Sequence, residues 1–236
     1  LLVNTVMIRR LKKDVLPELP DKTYSLIPLE IDNRQEYEAA TENFISFIRE
    51  KKGDEAALRA SLAEALTQLR ALMQITAKGK LRAVIEWIED YLEGTDEKLV
   101  VFAHHQIVIN ELTQHFKELA VKIDGSVPSH HRQTIVEQFQ NNPNIRLFIG
   151  NTEAAGESIT LTAASTVAFV ELPLTPGSLA QAEDRVHRIG QKQAVQVYFL
   201  FAKETVDEKV ANWLDRKRRM IDAVLDGVET PQENLI

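Results

Sequence analysis

The 236-residue chain has no cysteine, which excludes disulfides, thiolate metal sites and cysteine nucleophiles. It has no apolar run near the roughly 18 residues of a membrane span and no charged-then-apolar leader with a cleavage site. No initiator Met precedes Leu1, Leu2 and Val3, so the chain reads as a piece of something longer. Glycine is scarce, at nine positions, and these nowhere form Gly-x4-Gly-Lys-Ser/Thr, Gly-x-Gly-x-x-Gly or Gly-x-Ser-x-Gly. A complete phosphate-binding loop, a dinucleotide turn and a hydrolase elbow are thereby excluded. A net charge of −7 rules out a surface that is basic all over, though a local phosphate track needs only a few Lys and Arg.

What remains is an ordinary globular composition, 44% hydrophobic and 27% charged; with the lack of cysteine it suits an intracellular protein, and a monomer without a membrane partner is the expectation. Short β-branched runs predict strands at Lys98–Ala103, Val121–Asp124, Ile145–Gly150, Thr166–Leu172 and Val195–Phe201. Helical patterns alternate with them at Ile107–Leu119, Ser129–Gln140 and Ser178–Arg188. That alternation predicts an α/β fold, a parallel sheet with helices on both faces, whose ligand side is the carboxyl edge of the strands. Ahead of this core the pattern predicts a strand at 23–30, long helices at 33–51 and 54–75 that form an inserted hairpin, and an amphipathic helix at 80–92. Thr205-Val-Asp-Glu208 reads as a capping box opening a basic C-terminal helix. Basic clusters lie at Arg9, Arg10, Lys12 and Lys13 and at Arg216, Lys217, Arg218 and Arg219; solvated helix faces are the plain explanation of such runs.

The most informative string is Gln181-Ala-Glu-Asp-Arg185-Val-His-Arg188-Ile-Gly-Gln191. On a helix, Gln181, Arg185 and Arg188 fall within about 60° of one another, while Ala182, Val186 and Ile189 form a packing face. Two permanently charged, planar forks on a rigid element suit an anion that gains charge during reaction, such as a transferring phosphoryl group. The competing explanation is structural: Ser178-Leu-Ala-Gln181 is itself a capping box, and the arginines have Glu183 and Asp184 as available partners. His104/His105 and His130/His131 are adjacent pairs whose side chains should diverge, which argues against a metal site. Trp87 and Trp213 sit in amphipathic helices as packing residues.

The string resembles the last helicase motif of the Swi/Snf-type, superfamily-two ATPases. The resemblance implies a RecA-like second lobe, with Arg185 and Arg188 as fingers on ATP and Mg²⁺ held mainly by a first lobe, and Gln181 as a supporting contact. Other segments match in order. Residues 1–22, with Ile8-Arg-Arg-Leu-Lys-Lys-Asp-Val-Leu-Pro-Glu-Leu-Pro-Asp-Lys22, resemble the inter-lobe linker, and Lys98–His104 the motif that opens the second lobe. Asp124-Gly125 with Arg132 and Phe139 resembles the next motif. Asn151-Thr-Glu-Ala-Ala-Gly156-Glu-Ser-Ile-Thr-Leu161 takes the place of the glycine-rich motif that touches the nucleic-acid backbone. By position this implies contacts to double-stranded DNA at Arg132, Thr152, Gly156, Ser158 and Thr160, and coupling to the ATP site at Gly156 and Glu157. The remaining divisions are a strand and helical insertion at 23–79, the lobe proper at 80–203, and a brace helix with tail at 204–236.

There are departures from the family pattern. The usual glycine pair is thinned to Ala155 and Gly156, with Ser158 and Thr160 for the common Gly and Asn, which narrows the backbone angles available to that loop. Glu171-Leu-Pro-Leu-Thr-Pro-Gly177 lacks a Trp-Asn-Pro signature and places the chain nearer the annealing-helicase and bacterial branch than the mainstream remodellers. The resemblance implies a nuclear location in a eukaryote and a nucleoid one in a bacterium. A degenerate, non-catalytic DNA- or protein-binding module of the same fold is the alternative.

Overall fold

The computed structural model describes residues 16, 18–50, 55–152 and 159–226. In chain order the elements are β1 (Lys22–Leu29), α1 (Arg34–Glu50), α2 (Glu55–Gly79), α3 (Leu81–Gly94), β2 (Lys98–Ala103), α4 (Gln106–His115) and β3 (Ala120–Ile123), then α5 (Ser129–Asn141), β4 (Leu147–Asn151), β5 (Ala164–Phe169), α6 (Pro176–Val186), β6 (Val195–Ala202) and α7 (Val206–Asp226). The six strands form one sheet in the order β1-β6-β5-β2-β4-β3, and every neighbouring pair is parallel. This is the parallel α/β sheet that the strand–helix alternation predicts, and it agrees with the RecA-like lobe that the resemblance implies.

The central strands are buried on both faces, so they read as continuous apolar runs rather than alternating ones. Along β2, Leu99, Val101 and Ala103 pack with Val84, Ile88 and Leu92 of α3 and with Val108, Ile109 and Leu112 of α4. Val100 and Phe102 pack on the opposite side, with Val136 and Phe139 of α5 and Ala182 and Val186 of α6. Each of the valine, leucine, isoleucine and phenylalanine side chains among them, taken fully out of water, contributes about 1.5–3 kcal/mol. A third cluster joins Tyr37 of α1 and Leu72 and Met73 of α2 to Val206, Val210 and Leu214 of α7. The hairpin therefore docks on the C-terminal helix.

Segment Lys22–Leu29 pairs along its whole length with β6 and is an edge strand of the main sheet, not a separate appendage. Where it leads into α1, the backbones pass closely. Asp32 N–H donates to Gly79 O at 3.0 Å, and a Cβ on Gly79 would sit 1.8 Å from Asn33 Oδ1. Any side chain at that crossing must displace the Asn33 amide.

Three basic side chains pin the connections. Lys80, 1% exposed, donates to Leu200 O at 2.8 Å and to Asp207 Oδ2 at 2.5 Å, tying the start of α3 to β6 and α7. Lys98 Nζ caps the end of α5 by donating to the carbonyls of Phe139, Asn142 and Ile145. Arg146 caps the end of α3 through Leu92 O at 2.9 Å and the carbonyl of Thr95.

Several details depart from the sequence pattern. Strand β5 begins and ends earlier than Thr166–Leu172 because Val170 and Glu171 already belong to the turn beyond it. Thr205 is not half of a reciprocal box: its Oγ1 accepts from Asp207 N–H at 3.2 Å, while Glu208 reaches Glu204 N–H at 3.1 Å. Trp87 does pack, against Tyr91 and Tyr198. Trp213 does not; it is 45% exposed, and the Lys217 ammonium lies over its ring at 4.6 Å. None of the described helices is long and apolar enough to cross a membrane.

Candidate nucleotide and nucleic-acid site

Helix α6 starts a turn earlier than the Ser178 capping box predicts. Thr175 is its N-cap, accepting from Ser178 N–H at 3.1 Å, and Pro176 takes the first helical position, where its missing N–H costs nothing. Gln181 therefore has no capping duty and stands exposed in the middle of the helix. The helix stops at Val186, with His187 as C-cap. The chain then makes a β-turn closed by Gln191 N–H to Arg188 O at 2.9 Å, with Gly190 at φ +100°, a backbone angle that L side chains avoid.

This early stop changes the packing face. Ala182 and Val186 are buried as the helical spacing predicts, but Ile189 is 71% exposed, because it lies in the turn rather than on the helix. Arg188 likewise lies past the helix end. Even so, Gln181, Arg185 and Arg188 line one open cleft of about 320 Å³ with Asp184, Ile189, Leu16 and Leu19. Burial and the neighbouring Arg188 charge pull the Arg185 guanidinium below its usual range, and Asp184 opposes them. Arg188 Nη1 makes one long contact, 3.4 Å to Ile159 O. Two like charges held in one cleft repel each other and gain from an anion placed between them.

The cleft is not at the carboxyl edge of the strands. Arg185 O accepts from Leu161 N–H at 2.8 Å, and residues 159–161 lead into β5, so the arginine end of α6 lies near the beginning of that strand. A helix that leaves the carboxyl edge and runs back along the sheet delivers its last turn to the opposite edge.

The carboxyl edge holds a second group. Thr152, 4% exposed, anchors the end of β4 through its N–H to Ala103 O at 3.2 Å. Asn151 Nδ2 donates to His104 O at 2.9 Å. Glu171, at the end of β5, accepts from the N–H groups of His104 and His105, both at 2.9 Å, and meets His105 Nδ1 with its other oxygen. Burial pushes the Glu171 carboxyl up, yet these hydrogen bonds outweigh it and hold it below the usual range. At the end of β3, Asp124 is fully buried and accepts from Gln106 Nε2 (2.7 Å), Lys122 Nζ (2.8 Å), Ser126 N–H (3.0 Å) and Ser126 Oγ (2.5 Å). There too the donors outweigh burial and keep the carboxyl well below its ordinary value.

Arg132, in the first turn of α5, donates from Nε to Val127 O at 3.2 Å. Thr160 is half-buried between Ile159 and Leu161. Gly156, Glu157 and Ser158 lie outside the described residues. The paired histidines do not diverge: the rings of His104 and His105 meet edge to face at 5.1 Å, and those of His130 and His131 at 4.2 Å. Among the described residues no group of three or more His, Asp or Glu side chains is arranged to hold a metal ion.

Residues 79–190 match the family model described as the helicase conserved C-terminal domain. The chain is 37% identical over 229 residues to the DNA annealing helicase and endonuclease ZRANB3 of Mus musculus, covering 96% of this chain and 21% of that protein. It is 36% identical over 237 residues to the SWI/SNF-related matrix-associated actin-dependent regulator of chromatin subfamily A-like protein 1 homolog of Caenorhabditis elegans, covering 95% and 32%. Among solved structures, the Sulfolobus solfataricus SWI2/SNF2 ATPase core in complex with dsDNA superposes with a TM-score of 0.64 at 26% identity, over 94% of this chain and 50% of that one. The C-terminal part of the Fun30 ATPase domain superposes with a TM-score of 0.69 at 18% identity, over 83% and 89%. The chain is a helicase C-terminal lobe of the Swi/Snf type. It spans between about one fifth and one third of the length of these curated relatives, of which the Mus musculus protein carries the name of a DNA annealing helicase.

Within this lobe the motif string does structural work that the sequence reading missed. Glu183, 3% exposed, accepts from Lys22 Nζ at 2.5 Å and Tyr24 OH at 3.1 Å. His187 Nε2 meets Pro20 O at 2.7 Å. Gln191 Nε2 donates to Ala164 O at 2.7 Å, while its Oε1 accepts from the N–H groups of Lys192 and Gln193. The arginine helix of the lobe is thus fastened to the segment entering β1 and to the start of β5. The partners of Glu183 and His187 lie about 160 residues away in sequence, and no local spacing signals such contacts.

Proposed function

We propose that this lobe serves an ATP-dependent translocase on double-stranded DNA, supplying Arg185 and Arg188 to the phosphates of ATP bound on a first RecA-like lobe. The observation that carries the reading is the shared cleft, where two guanidiniums and the Gln181 amide face open space from a tethered helix. ATP with Mg²⁺ supplies the phosphoryl group, and the metal belongs with the first lobe. The two arginines stabilise the charge that develops on the transferring group, and Gln181 helps to orient it. Glu183 and His187 keep that helix in register with the segment at Pro20–Tyr24, through which the lobes are joined.

The DNA backbone lies along the carboxyl edge in this proposal, contacted from Arg132 and from the residues that follow Thr152, while Thr160, beside the start of β5, meets DNA only where it extends toward the opposite edge. In this reading Gly156 and Ser158 contact the DNA backbone, and Gly156 and Glu157 couple it to the ATP site, as the family pattern implies. The protein would act in the nucleus of a eukaryote or on the nucleoid of a bacterium. A non-catalytic DNA-binding module is the second reading, favoured by the glycine-poor stretch around Ala155 and Gly156. One comparison separates them: the chain is combined with an ATP-binding first lobe and assayed for DNA-stimulated hydrolysis. Hydrolysis well above that of the first lobe alone is expected, and DNA binding without any gain in hydrolysis would favour the module.

A further inference from the structure

Glu171 and His105 form a pair that the ATP cleft does not use. The carboxylate is buried, at 4% exposure, and receives three hydrogen bonds, two from the backbone at His104 and His105 and one from His105 Nδ1. The turn they clamp is also held by Asn151 Nδ2 on His104 O and by Thr152 N–H on Ala103 O. The imidazole is thereby fixed at one nitrogen and oriented as a rigid body. Its second nitrogen, Nε2, has no hydrogen-bond partner among the described residues and is not among their buried unsatisfied atoms, so it reaches solvent.

We propose that His105 is a DNA-phosphate contact whose orientation is set by Glu171 as a positioning residue. The proposal rests on the DNA reading above. A carboxylate on Nδ1 requires that nitrogen to carry its proton, which leaves Nε2 as the atom that gains or loses one. When Nε2 is protonated, the ring is a cation presenting an N–H donor at the carboxyl edge, suited to a phosphodiester oxygen. When Nε2 is neutral, it is an acceptor and repels that oxygen. The protonated ring is the binding form, so acidification favours binding.

The charged and titratable groups facing His105 among the described residues are Glu171 from β5, His104 on its own turn and, across Gln106, the Asp124–Lys122 pair at the end of β3. Asn151 and Thr152 from β4 add no charge. Lys122 is paired with Asp124 at 2.8 Å.

The test uses the whole chain and a short mixed-sequence DNA duplex. His105→Asn keeps an N–H where Nδ1 was, so the Glu171 contact survives, but places nothing at Nε2. The expected result is binding weakened roughly tenfold at pH 6, the scale of one charged hydrogen bond. The slope of log affinity against log salt should fall by about 0.9, the loss of one phosphate contact, and the gain in affinity on acidification should shrink. A purely structural role would leave that slope unchanged. Unaltered slope and pH dependence, with DNA binding retained, would overturn the proposal and leave the DNA reading standing. Absence of salt-dependent binding by the unmodified chain would overturn both. If His105→Asn fails to fold, the ring-nitrogen resonances of His105 in the unmodified chain decide the matter: Nε2 must shift toward the protonated form on adding duplex, and an unmoved resonance refutes the contact.

Discussion

Replacing Lys80 by Met should cost about 3 kcal/mol of stability, and the structure explains why the figure is that large for one surface-type residue. The ammonium is 1% exposed and bonds Leu200 O at 2.8 Å and Asp207 Oδ2 at 2.5 Å. Methionine retains most of the stem's packing, so the loss is electrostatic: Asp207 stays nearly buried, at 14% exposure, with no cation beside it. Removing one member of a buried pair costs about 3–5 kcal/mol. Asp207 still accepts from Ala202 N–H at 3.0 Å, which places the cost at the lower end. At a urea dependence of about 2–3 kcal/mol per molar, the unfolding midpoint drops by about 1 M. The double variant Lys80→Met with Asp207→Asn should lose less than the sum of the singles, because the stranded charge is gone. A loss below about 1 kcal/mol, or strictly additive singles, would refute the reasoning.

Other outcomes follow from the same contacts. Gly190→Ala should cost about 1–2 kcal/mol in a melting or urea experiment, from backbone strain at φ +100° alone, since a Cβ there meets nothing within 4 Å. Asp124 has a carboxyl held below its unfolded value of about 3.9, so its stabilising contribution is present above that pH and lost as pH falls further. Asp124→Asn should therefore lower stability at neutral pH and flatten its decline below pH ~4, read from urea midpoints across pH. Glu183→Gln should loosen the segment entering β1, seen as faster amide exchange at Lys22–Tyr24, with far-UV circular dichroism unchanged.

The sheet and most of its helices were legible because buried parallel strands are written as apolar runs, as Leu99–Ala103 shows. The limits of α6 were less so. Ser178 and Thr175 both offer a capping hydroxyl, and Pro176 at the first helical position decides for Thr175. The turn at Gly190 ends the helix before Arg188 and exposes Ile189, which a periodic pattern extended through the turn assigns to the core. The partners of Glu183, His187 and Glu171 lie between 66 and 167 residues away, where only the three-dimensional course of the chain brings them together. Gln181, Arg185 and Arg188 stood out for the opposite reason: one helix turn and its exit place them side by side.

If the arginines act on nucleotide phosphates across a lobe interface, turnover must depend on them. The most direct measurement is DNA-stimulated ATP hydrolysis by a protein carrying both lobes, compared between the unmodified form and Arg188→Ala. A trans-acting arginine of this kind is worth about 10³–10⁵ in turnover. A fall on that order is expected, with melting temperature and DNA affinity unchanged. Turnover equal to that of the unmodified protein would contradict it.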